Sequence, residues 1–251
     1  MGTIDLNADL GETIRGVATA DDEAMFALIS SANIACGGHA GDAASMRASV
    51  TRAERFGVAV GAHPSYVDPE NFGRVRRDPG AVALRAQIAA QLDALRAAGA
   101  EIRYVKPHGA LYHAVVDDAG QADALVDAVA DLASDLGRPV PLLGVGGEVE
   151  RAAVAAGLPF RREAFLDRGY LSTGALVPRG EPGDLLDDPE AVAARARRLV
   201  ADGELDAVDG TRLRPNADSL CVHGDTPASV AMARAVRRGL AADGVSVRAP
   251  W

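Results

Sequence analysis

The chain has 251 residues, 48% hydrophobic and 24% charged, with a net charge of −9 and a pI near 5.0. That composition suits a globular protein with ample material for a core, and its acidity argues against nucleic acid or an anionic membrane as the main partner. No apolar run approaches the ~18 residues that span a bilayer, and the acidic first 25 residues lack a secretory signal pattern, so a cytoplasmic protein is expected.

Short apolar runs recur along the chain, several ending in polar residues and glycine: TIDLNADLGE (3–12), SANIACGGH (31–39), GVAVGAHPS (57–65), IRYVKPHG (102–109), PVPLLGVGG (139–147), PFRREAFLDR (159–168) and DSLCVHGD (218–225). Each apolar centre has the length of a buried strand. Helical stretches lie between them, at 42–56, 79–98, 118–136, 147–156, 189–202 and 227–242. Asp42, Asp78-Pro79, Asp188-Pro189 and Thr226-Pro227 read as helix starts, with Asp225 capping the last of these turns. Gly57, Gly99, Gly137 and Gly157 read as helix ends. The segment 169–184 is a glycine-rich loop, and 205–214 reads as a hairpin about Asp209-Gly210. Seven strands alternating with helices predict a parallel sheet flanked by helices, in one domain spanning 1–251. Periodicity does not separate an open sheet from a closed barrel.

In parallel α/β folds the loops after the strands form the working face. Asn7, Asp9 and Glu12 follow the first strand, Asn33 and His39 mark the second, and His63 follows the third. Lys106 and His108 follow the fourth, Glu163, Asp167 and Arg168 the sixth, and His223 and Asp225 the seventh. Four of the five histidines are thus expected on one rim, and His113 is read as loop or as backing the site from behind. Lys106 is the only lysine beside 25 arginines, which points to a place where a guanidinium cannot replace a compact ammonium. Asp9, His39, His63, Lys106, His108 and His223 are the candidates for catalysis. Asn7, Glu12, Asn33, Glu163, Asp167 and Arg168 are the candidates for substrate binding. Carboxylates and imidazoles on one rim permit either acid–base chemistry or a divalent metal, with Asp9, His39 and His63 as candidate ligands. In CGGHAGD (36–42), Gly37 and Gly38 are read as making room for backbone or substrate. The stretch GVGGE (144–148) could cradle an anion, and Cys36 and Cys221 are expected to be reduced and buried.

These blocks carry a family signature. DLNADLGE, SANIACGGHAGD, GVAVGAHPSY, FGR (72–74), VKPHGALY, EAFLDRGY, GALVPRG and ADSLCVHGD together resemble the LamB/YcsF family, the A-type subunits of 5-oxoprolinase, from Ile4 to about Leu240. The resemblance implies a seven-stranded parallel β/α barrel like those of the glycoside hydrolase/deacetylase superfamily. It implies ATP-dependent opening of the lactam 5-oxoproline to L-glutamate, with ATP as its magnesium complex and subunits B and C as partners. Positive charge for phosphate and substrate carboxylate would come from Lys106, Arg168 and Arg179, and a base from His39, His63, His108 or Asp9. Two rival readings stand beside it: a metal-dependent hydrolase of an amide or acetylated sugar, and a non-catalytic lactam-binding subunit.

Overall fold

A computed structural model describes residues 2–225 and 228–251. Strands β1 (Thr3–Leu10), β2 (Ser31–Ala35), β3 (Ala59–His63), β4 (Ile102–Val105), β5 (Leu142–Gly144), β6 (Phe160–Phe165) and β7 (Ser219–Cys221) pair in parallel, each with the next. β7 then pairs with β1, Asp5 facing Ser219 and Asn7 facing Cys221, and the sheet closes into a barrel. Every predicted strand is present within its predicted range. Around the barrel run α1 (Asp22–Phe26), α2 (Ala43–Phe56), α3 (Ala81–Ala97), α4 (Gly109–Asp117), α5 (Ala119–Leu136), α6 (Glu148–Ala155), α7 (Pro189–Asp202) and α8 (Ser229–Ala242). No described helix is long and apolar enough to cross a membrane.

Local sequence explains most of these boundaries. Asp42 accepts hydrogen bonds from the Ala44 and Ser45 amides, both at 2.8 Å, while the Ser45 hydroxyl accepts from the Asp42 amide, so α2 starts on a capping box. It ends at Gly57, in the left-handed region at φ 67°. Asp188 caps α7 as predicted, accepting from the Glu190 amide. Asp78-Pro79 does not start a helix: α3 begins after Gly80, and Asp78 accepts the Gly80 amide within the turn. The Thr226-Pro227 start lies outside the described residues, and Asp225 forms an ion pair with Arg74 at 2.6 Å. The hairpin about Asp209-Gly210 is present, pairing Leu205–Asp206 with Arg212–Leu213.

His113, read as loop, sits in α4. This helix is apolar over most of its surface, so no amphipathic period marks it in the sequence. Gly147, in the stretch read as an anion cradle, is a packing site: a β-carbon there would lie 2.4 Å from the Val116 carbonyl oxygen. Gly38 likewise makes room for protein side chains, with Gln91 Oε1 2.3 Å from where its β-carbon would be.

The barrel interior is polar. β1 sends Leu6, Ala8 and Leu10 into the apolar core and Asp5, Asn7 and Asp9 into the lumen, following the period of two. At the floor Asp5 accepts from the Ser30, Ser31 and Ser219 hydroxyls at 2.5–2.6 Å. Trp251 stacks on Tyr104 at 4.2 Å and donates to Ser31 Oγ at 2.8 Å. The Tyr104 ring occupies the space beside Gly61, where an added β-carbon would lie 2.2 Å from it. Residues 246–247 pair with Thr3 and Ile4 at the same end.

Candidate functional site

A buried polar column runs from that floor to the barrel mouth. Asn7 donates to Ser219 Oγ at 2.8 Å and to Glu163 Oε2 at 3.2 Å. Asn33 donates to Asn7 Oδ1 and Asp9 Oδ1, both at 2.7 Å, and accepts from the Tyr104 hydroxyl at 2.5 Å. Lys106 Nζ reaches Asn7 Oδ1, Asp9 Oδ1 and Cys221 Sγ, each at 3.2 Å, and Glu163 Oε2 at 3.0 Å. The ammonium is therefore the hub of the column, and protein acceptors surround it. Burial alone would lower its pKa, but Asp9, Cys221 and Glu163 outweigh burial and hold it well above the ordinary lysine value. Buried polar networks of this size cost stability unless every member is paired. They are expected where function requires them.

Above the column, His63 Nε2 lies 3.4 Å from Asp9 Oδ2 and 3.0 Å from His108 Nδ1. His63 Nδ1 donates to the Lys106 carbonyl at 2.7 Å, and His108 Nε2 donates to the Phe72 carbonyl at 3.0 Å. His39 stands behind His108, the two rings stacked at 3.6 Å, with its nitrogens on Glu12 Oε1 (3.1 Å) and Ser65 Oγ (3.0 Å). Burial, with His63 close by, holds the His39 pKa well below the histidine value, and burial with His39 and His63 does the same to His108. For Asp9, His63 and Lys106 overcome the effect of burial and hold the carboxyl well below its usual range.

Glu12 behaves in the opposite way. Burial, then the Asp9 carboxylate, push it up to about 8. A carboxyl whose pKa is raised on folding contributes stability below its unfolded pKa, near 4.5, and loses it as pH rises through 8. Glu12→Gln removes that titration. Its melting temperature relative to wild type is therefore expected to climb between pH 4.5 and 8, as followed by thermal denaturation. A difference that stays flat across this range would contradict the raised Glu12.

A second pair stands across the mouth. Asp167 accepts from both the backbone amide (3.1 Å) and Nδ1 (3.0 Å) of His223, whose ring stacks on Phe165 at 5.2 Å. Between the two groups opens a cavity of about 460 Å³, floored by Asp9, His63, Lys106 and His108 and walled by His223, Tyr112 and His113. Leu176, Val177, Pro178 and Arg179, from the glycine-rich loop, roof it. Arg168 ties that loop down, donating to the Asp184 and Val177 carbonyls at 3.0 and 2.7 Å.

Glu12, His39, His63, Lys106, His108, Asp167, Arg168 and His223 lie at this end of the barrel, whereas Asn7, Asp9 and Glu163, expected after their strands, lie with Asn33 inside β1, β2 and β6 and point into the lumen. Lys106, on the cavity floor, joins Asn7, Asn33 and Glu163 beneath it in one network, and Arg168 anchors the roof. Of the predicted metal ligands, Asp9 and His63 converge with His108, whereas His39 groups with Glu12 and His108. The sequence reading missed Asp5, Tyr104 and the contact of Cys221 with Lys106. A polar alternation at Asp5, Asn7 and Asp9, in a strand expected to be buried on both faces, was the available signal.

The LamB/YcsF family pattern matches residues 4–250. The chain is 49% identical over 251 residues to the 5-oxoprolinase A-type subunit of Streptomyces avermitilis, covering 98% of this chain and 99% of that one. It is 46% identical over 256 residues to the corresponding 5-oxoprolinase subunit of Cutibacterium acnes, covering 99% of each. Among solved structures it resembles the lactam utilization protein of Thermus thermophilus, with 40% identity, a TM-score of 0.90 and coverage of 98% and 99%.

Proposed function

Because the chain belongs to the LamB/YcsF family, we propose that it opens 5-oxoproline to L-glutamate at the barrel mouth, as one subunit of an ATP-dependent 5-oxoprolinase with partner subunits B and C. The observation that carries this reading is the cavity of about 460 Å³ with the Asp9–His63–His108 group on one side and the Asp167–His223 pair on the other. Its size suits a small metabolite. Two imidazole groups facing across it suit a reaction that takes a proton from water on one side and gives one to a leaving nitrogen on the other.

The chemistry explains the need for ATP. An unstrained lactam is a poor electrophile at neutral pH. Phosphoryl transfer from MgATP to the lactam oxygen makes the ring carbon electrophilic. Water then adds, the C–N bond breaks with a proton delivered to nitrogen, and γ-glutamyl phosphate results. A second water releases phosphate, so lactam, ATP and two waters give glutamate, ADP and phosphate. Arg179, which lines the cavity with no acceptor among the described residues, is a ready partner for the substrate carboxylate. Lys106 acts from below by holding Asp9 in place. Reconstitution with subunits B and C tests the reading: glutamate is expected only when this chain, its partners and ATP are all present. Glutamate from this chain alone, without ATP, would instead favour simple amide hydrolysis.

A further inference from the structure

We propose that Asp9 Oδ2, His63 Nε2 and His108 Nδ1 form a binding site for one divalent ion of the zinc class. Two ring nitrogens, His63 Nε2 and His108 Nδ1, face each other at 3.0 Å. The other nitrogen of each ring is committed to a backbone carbonyl, of Lys106 at 2.7 Å and of Phe72 at 3.0 Å. Carbonyls only accept, so those outer nitrogens carry the hydrogens. In the neutral tautomers that result, both inner nitrogens present lone pairs to each other, and a cation bound by both resolves this. Metal-binding histidines characteristically donate their outer N–H to a carbonyl or carboxylate in this way, which fixes tautomer and ring orientation.

The third ligand is prepared in the same manner. Asp9 Oδ1 accepts from Asn33 at 2.7 Å and from Lys106 at 3.2 Å, leaving Oδ2 to face His63 Nε2 at 3.4 Å. All three donor atoms lie within 4.8 Å of one another on buried side chains, and all three residues line the cavity. With metal–nitrogen and metal–oxygen bonds of about 2.0–2.2 Å, tetrahedral ligand atoms sit roughly 3.4 Å apart, close to the separations here. Two imidazoles and one carboxylate select zinc or a neighbouring first-row dication over magnesium, which prefers an all-oxygen shell. Three protein ligands leave a position open toward the cavity, as in catalytic rather than structural zinc sites. A bound ion would supply Lewis acidity at the cavity floor.

Binding is read on the full-length chain without substrate or partners, so its outcome is independent of the oxoprolinase reading. After chelation and dialysis, zinc is titrated by calorimetry and counted by elemental analysis. One zinc per chain is expected, with a rise in melting temperature, and stoichiometric binding is expected to vanish in His63→Ala and His108→Ala. Asn33→Ala, which removes no ligand but takes a hydrogen bond from Asp9 along with those to Asn7 and Tyr104, is expected to weaken zinc by about 10–100-fold; it serves if the ligand variants do not fold. Absence of stoichiometric zinc would overturn the site and leave a proton shared between the two imidazoles. Zinc bound with unchanged affinity by these variants would overturn it equally.

Discussion

Lys106→Met is expected to lower the unfolding free energy by about 3–5 kcal/mol at neutral pH, the range for removing one partner of a buried ion pair. The substitution keeps much of the side-chain volume but leaves Asp9 and Glu163 buried, without the ammonium that lies 3.2 and 3.0 Å from them. Asn7 Oδ1 loses a donor as well. Removing the cation raises the folded pKa of Asp9 above the lowered value that Lys106 helps to hold, so the deficit is full above the raised value and shrinks as pH falls below it. Urea unfolding at several pH values measures this, and a loss below about 1 kcal/mol at neutral pH would contradict the hub role. Lys106→Arg tests the compactness of the slot. A planar guanidinium has no room among four acceptors at 3.0–3.2 Å, so turnover in the reconstituted complex is expected to collapse. Near-normal turnover would remove the special standing of this lysine.

His223→Gln is expected to reduce kcat for 5-oxoproline by about 10²–10⁴-fold, the usual share of a positioned acid or base. Burial lowers the His223 pKa, but Asp167, with a smaller contribution from Asp9, outweighs burial and raises it above the ordinary histidine value. In the proposed reaction this holds the imidazole ready to give a proton to the ring nitrogen as the C–N bond breaks. A donor of this kind is active below its folded pKa, so the wild-type rate should fall as pH rises through that value. Asp167→Asn should move the fall to lower pH, and His223→Gln should abolish it. A pH–rate profile unchanged by Asp167→Asn would contradict the pairing, whatever the size of the rate loss.

The sequence revealed the architecture better than the details of the site. Seven strands were legible because each is a short apolar run closed by polar residues or glycine, and the helices between them carry caps such as Asp42 and Asp188. Barrel closure was not legible from periodicity, because an open sheet buries the same runs; it came from the family resemblance. α4 escaped because it is apolar nearly all round and follows KPHG without a side-chain cap. His39, His63, His108 and His223 could be placed on one rim because strand ends in a parallel sheet share a face. Their division into two groups across a cavity could not, since it depends on which ring nitrogen meets which carbonyl or carboxylate. Lys106 was singled out by its rarity and by its place after the fourth strand. Its depth in the barrel follows from the period of two in IRYVK, which places Tyr104 and Lys106 on the same inward face.

Lactam opening at the Asp9 end of the cavity is the central claim. Its most direct test is glutamate formation from 5-oxoproline and ATP by the complex with subunits B and C, comparing wild type with Asp9→Asn. The wild-type complex should form glutamate in step with ADP, while the Asp9→Asn complex should assemble yet form glutamate about 10²–10⁴-fold more slowly. An assembled Asp9→Asn complex that forms glutamate at the wild-type rate would contradict it.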